Sequence, residues 1–321
     1  MTVSFRQAAA FLLSAACIAA SAGCASRPGD ENGRLKVLMI GNSFSICTLR
    51  YLPYVAQDRG KKLDLASLYI GGCSLERHWE NVEAAATNKL FRPYAYNRSV
   101  DGKPMEGVHR RNIQEVLETE RWDVVTVQQA SHYSWQPDSN APFGDRLVDY
   151  IRRHAPQARV VVQETWSYTP WDKRLKDWDI DQNEMYARLH GAYAAFAARH
   201  GLKVIPMGAA VQAWRERLPV KYTENSFGGD VVGGGRQDPR DHFKRRADNS
   251  WAPNCDVFHL NPRGEYLQAL VWAAFFFGPD SLDGLGFCPP GVSESDAKLM
   301  REIAASVVSA QKTANPQEKE K

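Results

Sequence analysis

The 321-residue sequence has little net charge, only +3, and no cluster of Lys and Arg interleaved with aromatics. That combination excludes a nucleic-acid-binding surface of the usual basic kind. Neither His-Glu-x-x-His nor Cys-x-x-Cys occurs, so a metal site is not expected. No internal repeat is visible. The one Gly-rich stretch, Gly233-Gly234-Gly235-Arg236, is followed by neither Lys-Ser/Thr nor a helical pattern, so it is not a phosphate cradle. What remains is an ordinary globular composition, 44% hydrophobic and 24% charged, in a chain long enough to bury a sizeable core.

The amino end stands apart. "MTVSFRQAAAFLLSAACIAASAGC" places an Arg before an apolar Ala/Leu-rich stretch and then small residues, the pattern of a secretory signal too short to span a membrane stably. Ser21-Ala22-Gly23-Cys24 looks like a bacterial lipobox, with cleavage before Cys24 and lipid on its sulfur. The expected organisation is a lipoprotein-type signal over 1–23, a polar linker over 24–33, one domain over 34–312 and a disordered tail over 313–321. Export to the cell envelope, lipid-anchored or secreted, is an oxidising destination. Cys47, Cys73, Cys255 and Cys288 can therefore pair there, in three possible ways.

Apolar runs rich in Val, Ile and Leu recur at Leu35–Ile40, Leu63–Ile70, Asp123–Val127, Arg159–Gln163 and Leu202–Met207. Helical patterns lie between them, and "NEMYARLHGAYAAFAARHG" ends in Gly201, as a helix C-cap should. Continuous apolar strands alternating with helices predict an α/β fold: a three-layer α/β/α sandwich around a mostly parallel five-stranded sheet. In such sheets the functional groups gather beyond the carboxyl ends of the strands. The stretch 221–255 has no sustained period and is rich in Gly and charge, so it is expected to be a long loop.

Two features carry chemistry. "IGNSFS", Ile40 to Ser45, ends the first strand in a Gly and then displays hydroxyls around a Phe. Asn42 and Ser43 could simply cap a helix. Ser43 could instead be a nucleophile presented at the strand end. Downstream, "CDVFHLNPRGEYLQALVWAAFFFG" sets Asp256 and His259 three residues apart, just ahead of a helix beginning near Pro262. In a turn the carboxylate can orient that imidazole, and an oriented His is what a weakly nucleophilic Ser requires.

These residues, with the Gly-bearing block "IGGCSLERHW" between them, resemble the SGNH (GDSL-like) hydrolase superfamily. The same block is similar to one in sialate O-acetylesterase-like carbohydrate esterases, and the layout resembles exported bacterial members of unknown function. The resemblance covers about Leu35 to Gly278. It implies a flavodoxin-like SGNH hydrolase fold, Ser43 as nucleophile, His259 as base and Asp256 as its acid partner. It also implies an oxyanion hole from the Ser43 and Gly72 N–H groups and a side-chain donor after the third strand. There the superfamily usually offers Gly-x-Asn-Asp, whereas this chain has "VQQASHYS"; Gln129 is favoured, with His132 and Gln128 as alternatives. Such a site needs no cofactor. If Gly72 and Asp256 line one site, their neighbours Cys73 and Cys255 are placed for a disulfide. Trp79, Trp135, Trp166, Trp171 and Trp251 flank the expected loops and suit sugar stacking as a set. The expected activity is an exported serine esterase removing O-acetyl groups from a polysaccharide or oligosaccharide. A lipid or aryl-ester hydrolase with the same triad, or a non-catalytic glycan-binding protein, are the other readings.

Overall fold

In β1 (Leu35–Gly41), Leu35, Val37, Leu38, Met39 and Ile40 are all buried, at most 4% exposed. A strand that is apolar on both faces has to be covered on both faces, and the remaining elements provide that cover. The computed structural model describes residues 33–105, 109–218, 227–234, 243–245, 247, 251–253 and 256–314. The signal segment, Cys24, Cys255, Trp251's side chain, the tail beyond 314 and much of 221–255 therefore lie outside the described residues.

After β1 come α1 (Ser43–Ile46), a 3₁₀ turn (Cys47–Arg50), α2 (Leu52–Asp58), β2 (Leu63–Tyr69) and α3 (Leu75–Thr87). An edge follows, formed by β3 (Tyr94–Val100), β4 (Lys103–Pro104) and β5 (His109–Arg111). The chain then runs through α4 (Ile113–Thr119), β6 (Val124–Val127), α5 (Phe143–His154), β7 (Arg159–Gln163), α6 (Lys173–Asp177), α7 (Gln182–His200) and β8 (Lys203–Ile205). It closes with α8 (Met207–Arg217), β9 (Phe243–Arg245), β10 (Trp251–Pro253), α9 (Pro262–Phe277) and α10 (Glu294–Ala314).

The sheet order is β4-β3-β2-β1-β6-β7-β8, with β5 also pairing β3. The five expected strands, β2, β1, β6, β7 and β8, are mutually parallel. Counted alone they have the flavodoxin-like order 2-1-3-4-5. Right-handed crossovers then place the β1–β2 connection on the opposite face from the connections that follow β2 and β6. On one face α2, α8 and α10 pack against α9; on the other α3 and α4 pack against α5.

Two expectations need correction. The sheet has eight strands, because β3, β4 and β5 add an antiparallel edge. β3 (YAYNRSV) contains no continuous apolar run, and only Tyr94 and Ser99 of its residues are buried, as suits a strand near the sheet edge. The stretch 221–255 is not all loop either, since β9 and β10 pair antiparallel within it.

Helix α9 is apolar nearly all round and is buried from Gly264 to Ala274. Asn261 caps it by accepting from the Arg263 and Gly264 N–H groups, each at 3.1 Å. A Cβ on Gly264 would meet the Val231 carbonyl oxygen at 2.2 Å and Leu260 Cδ2 at 2.8 Å, so segment 227–234 lies directly on the helix start. Gly264→Ala should gain about 1 kcal/mol of helix propensity yet lose more to that backbone clash. The expected net loss is roughly 1–3 kcal/mol, read from urea unfolding; unchanged stability would show that this contact yields freely.

Candidate active site

Between β1 and β6 the strand order reverses, and the crevice beyond their carboxyl ends is where such sheets bind ligands. Gly41 ends β1 there because nothing larger fits: a Cβ would meet Ser45 Oγ at 2.4 Å and Gln128 Cδ at 3.3 Å. Asn42 then caps α1, its Oδ1 accepting from the Phe44 N–H at 3.0 Å. Ser43 is thus the first residue of a short helix. Capping and display are both realised, by adjacent residues.

Asn42 also joins three loops. Its Nδ2 donates to the Cys73 carbonyl at 3.0 Å, and its Oδ1 accepts from Gln128 Nε2 at 2.6 Å. The nucleophile turn, the Gly71-Gly72 turn and the turn after β6 are therefore tied through one buried amide. Beneath them the Phe44 carbonyl accepts from Gln163 Nε2 at 2.7 Å and Gln268 Nε2 at 2.9 Å, which fixes the turn to β7 and α9.

The acid–base turn is held as tightly. Asp256 Oδ1 accepts from the Phe258 and His259 N–H groups at 2.9 and 2.8 Å, folding the turn on itself. All four of its carbonyls are engaged. Gly234 N–H donates to Asp256 O, Thr169 N–H to Val257 O, Trp166 Nε1 to Phe258 O and Gly233 N–H to His259 O. The result is one line of hydrogen bonds: Asp256 Oδ2 to His259 Nδ1 at 2.5 Å, and His259 Nε2 to Ser43 Oγ at 2.8 Å. The structure brings Ser43, His259 and Asp256 together in the geometry that activates a serine. Burial pushes the Asp256 carboxyl up, but hydrogen bonds from the imidazole and the two backbone N–H groups outweigh it and hold it below its usual range.

Two backbone donors face no protein acceptor among the described residues: the N–H of Ser43 and the N–H of Gly72. Gly72 has φ +61, a left-handed conformation that glycine adopts without strain. Both positions match the expected oxyanion donors. Gln129 does not. It is 3% exposed; its Oε1 accepts from the Leu75 and Ala130 N–H groups at 3.1 and 2.8 Å, and its Nε2 donates to Ser139 O at 2.5 Å. The amide braces three backbone segments instead, and Gln128 is held by Asn42. His132 remains half-buried against Tyr133, held below its usual pKa by burial and by Arg174.

Cys73 carries a free, fully buried thiol pushed up to about 12 by burial, so the expected bridge is not formed at this residue. Its expected partner Cys255 lies outside the described residues. Of the aromatic set, Trp166 is 0% exposed and stacked on Phe44 at 4.1 Å, and Trp135 is buried against Trp178. Trp166 therefore positions the acid–base turn and stacks on no sugar. The roles of Trp166, Gln163 and Gln268 are not legible in the sequence, because each acts through a carbonyl distant in the chain. The one available signal was a polar amide inside an otherwise apolar strand or helix.

Gln129→Ala should leave two buried N–H groups without acceptors and cost at least about 2 kcal/mol in urea unfolding. A loss of catalysis with no loss of stability would return Gln129 to the oxyanion hole. For Asp256, a depressed carboxyl contributes stability that is present above its unfolded pKa, about 3.9, and lost as pH falls through the folded value. The stability difference between the protein and its Asp256→Asn variant should therefore be flat above about pH 5 and shrink below about pH 4. A difference growing toward low pH would contradict the bonding described.

No curated protein matches the chain. Among solved structures it is similar to a DUF4886 family protein from Bacteroides uniformis, 29% identical over 86% of this chain and 95% of that one, with a TM-score of 0.69. Fainter likenesses are to a candidate SGNH hydrolase from Slackia heliotrinireducens, 20% identical over 75% and 97% of the two chains (TM-score 0.46), and to a Clostridium thermocellum family 3 carbohydrate esterase, 15% identical over 75% and 94% (TM-score 0.38). The family model described as "Domain of unknown function (DUF4886)" matches residues 36–230, more than half of the sequence, and the chain belongs to that family.

Proposed function

We propose that the protein is an exported serine esterase that removes O-acetyl or similar short acyl groups from carbohydrate. The observation that carries the hydrolase reading is the continuous Ser43–His259–Asp256 hydrogen-bond line beside two unengaged backbone N–H groups. Ser43 Oγ attacks the ester carbonyl as His259 Nε2 takes its proton, and Asp256 holds Nδ1–H and stabilises the imidazolium. The carbonyl oxygen gains charge toward the Ser43 and Gly72 N–H groups, where fixed donors stabilise the transition state without reorganising. The imidazolium then protonates the departing alcohol. Water, deprotonated by the same imidazole, releases the acyl group and restores Ser43.

The acetyl and carbohydrate parts rest on the "IGGCSLERHW" block and on aromatic side chains near the third-strand turn, among them Tyr133, 42% exposed. Export and a lipid anchor at Cys24 rest on the amino-terminal sequence; no helix among the described residues is long and apolar enough to cross a membrane.

Purified protein should hydrolyse p-nitrophenyl acetate. Ser43→Ala and His259→Ala should each lower kcat by roughly three to six decades, with the double variant hardly worse, because the residues act as a unit. Losses that multiply in the double variant would mean that Ser43 and His259 do not share a mechanism, and full activity of Ser43→Ala would remove the proposal.

A further inference from the structure

Beside the acid–base turn sits a cation that the mechanism above does not use. Arg174 lies in the short helix α6, its side chain 31% exposed. Its guanidinium packs against two adjoining rings, with Cζ 4.2 Å from the centre of Tyr168 and 4.5 Å from that of Phe258, whose own centres are 5.5 Å apart. Phe258 directly precedes His259 in the acid–base turn, and its ring lies 4.1 Å from the His259 imidazole. The guanidinium is thus two ring contacts from the general base. Its charge acts on Asp256 and on His132 of the third-strand turn.

The hydrogen bonds of Arg174 are made on one edge only. Nε donates to Asp172 Oδ1 at 2.9 Å and Nη2 to Asp172 Oδ2 at 2.6 Å, a two-point pairing with a carboxylate that is itself 2% exposed. Nη1 has no protein acceptor among the described residues. A guanidinium placed only to neutralise Asp172 would need neither the two rings nor the opening to solvent. Here its plane is fixed by Asp172 and the rings, so its remaining edge is pre-oriented and loses little freedom on binding a ligand. Half-buried Trp178, 6.0 Å from the guanidinium, adds an apolar wall. An N–H edge fixed in this way recognises a planar anion, a carboxylate above all, through charge-assisted hydrogen bonds.

We propose that Arg174 orients the substrate of this site, and that the ester turned over carries a carboxylate on the esterified sugar or its neighbour, as in an O-acetylated uronic-acid glycan, which Nη1 of Arg174 binds. This rests on the esterase reading above and narrows it from carbohydrate to acidic carbohydrate. Arg174 touches no reacting atom, so it acts in selection and alignment.

The test compares acetate release from O-acetylated polygalacturonate and from O-acetylated xylan, read as the ratio of kcat/KM values. The intact protein should prefer the acidic polymer, and salt raised from 0.05 to 0.5 M should erode that preference, because partly exposed charge pairs are screened. Arg174→Gln should lower the ratio by roughly 10–100-fold, mainly through KM on the acidic polymer, with Arg174→Lys in between, since it keeps the charge without the fork. A ratio that does not favour the acidic polymer, or one unchanged in folded Arg174→Gln, overturns the proposal. If Arg174→Gln does not fold, the Arg174→Lys ratio and the salt dependence of the intact protein decide. If neither polymer nor p-nitrophenyl acetate is hydrolysed, the esterase reading has failed. Calorimetry of trigalacturonate and xylotriose on Ser43→Ala, with and without Arg174→Gln, then decides separately. Preference for the acid lost with Arg174 sustains the binding role, and equal affinities end it.

Discussion

The candidate active site depends on the hydrogen bonds of one buried amide. Asn42 is 1% exposed, and its side chain bonds to the Phe44 N–H, the Cys73 carbonyl and the Gln128 amide. Each of these belongs to a different loop, and each loop leaves a different strand or precedes a different helix. An oxyanion hole built from the Ser43 and Gly72 N–H groups has value only if the two are held in fixed register, since their contribution comes from not having to reorganise. Asn42 sets that register: it caps the helix that begins with Ser43 and holds the carbonyl of the residue after Gly72. A buried amide that lost one of these partners would cost about 1–3 kcal/mol, so the loops have one well-satisfied arrangement.

A second constraint aligns the base. Four carbonyls in succession, from Asp256 to His259, are taken by donors from the segment after β7 and from Gly233 and Gly234. The rings follow the same logic: Trp166 stacks on Phe44, and Phe44 lies beside both Phe258 and His259. Ser43 is carried by the turn that contains Phe44, and His259 by the turn that contains Phe258. Packing of those two phenyl groups therefore links the Ser43 turn to the His259 turn alongside their own hydrogen bond. The Gly-rich stretch that fails as a phosphate cradle has its use here, because Gly233 and Gly234 both sit at positive φ, near +80, where they aim their N–H groups at the turn.

The third-strand turn shows how one residue type can serve opposite ends. A Gln after the strand was the natural substitute for the missing Asn donor, since either amide could face an oxyanion. In the fold, Gln129 bonds Leu75, Ala130 and Ser139, while Gln128 bonds Asn42. Both amides face inward because three loops converge there and their N–H and C=O groups need partners away from water. The charged character of this region then falls to His132 and Arg174, the first with its pKa lowered by burial and by Arg174, the second packed against the adjoining rings of Tyr168 and Phe258.

The sequence by itself determined the five parallel strands, the main helices and the three side chains, Ser43, His259 and Asp256, that the fold brings into one hydrogen-bonded line. Short continuous apolar runs rich in Val, Ile and Leu between helical patterns form buried strands, Gly201 at φ +62 ends α7 as its spacing required, and an Asp three residues before a His can pair with it inside a single turn. These are local matters of period and spacing, so they are legible from neighbours in the chain. The antiparallel edge was not, because β3 is mostly half-buried and mixes polar residues into a short run, so it gives only a weak apolar signal. Nor were the partners of Asn42, Gln129, Trp166 and Gln268, or the free thiol of Cys73. Whether a buried amide braces a backbone or faces a substrate is set by which distant carbonyls and N–H groups arrive beside it, and only the closed tertiary structure places them there.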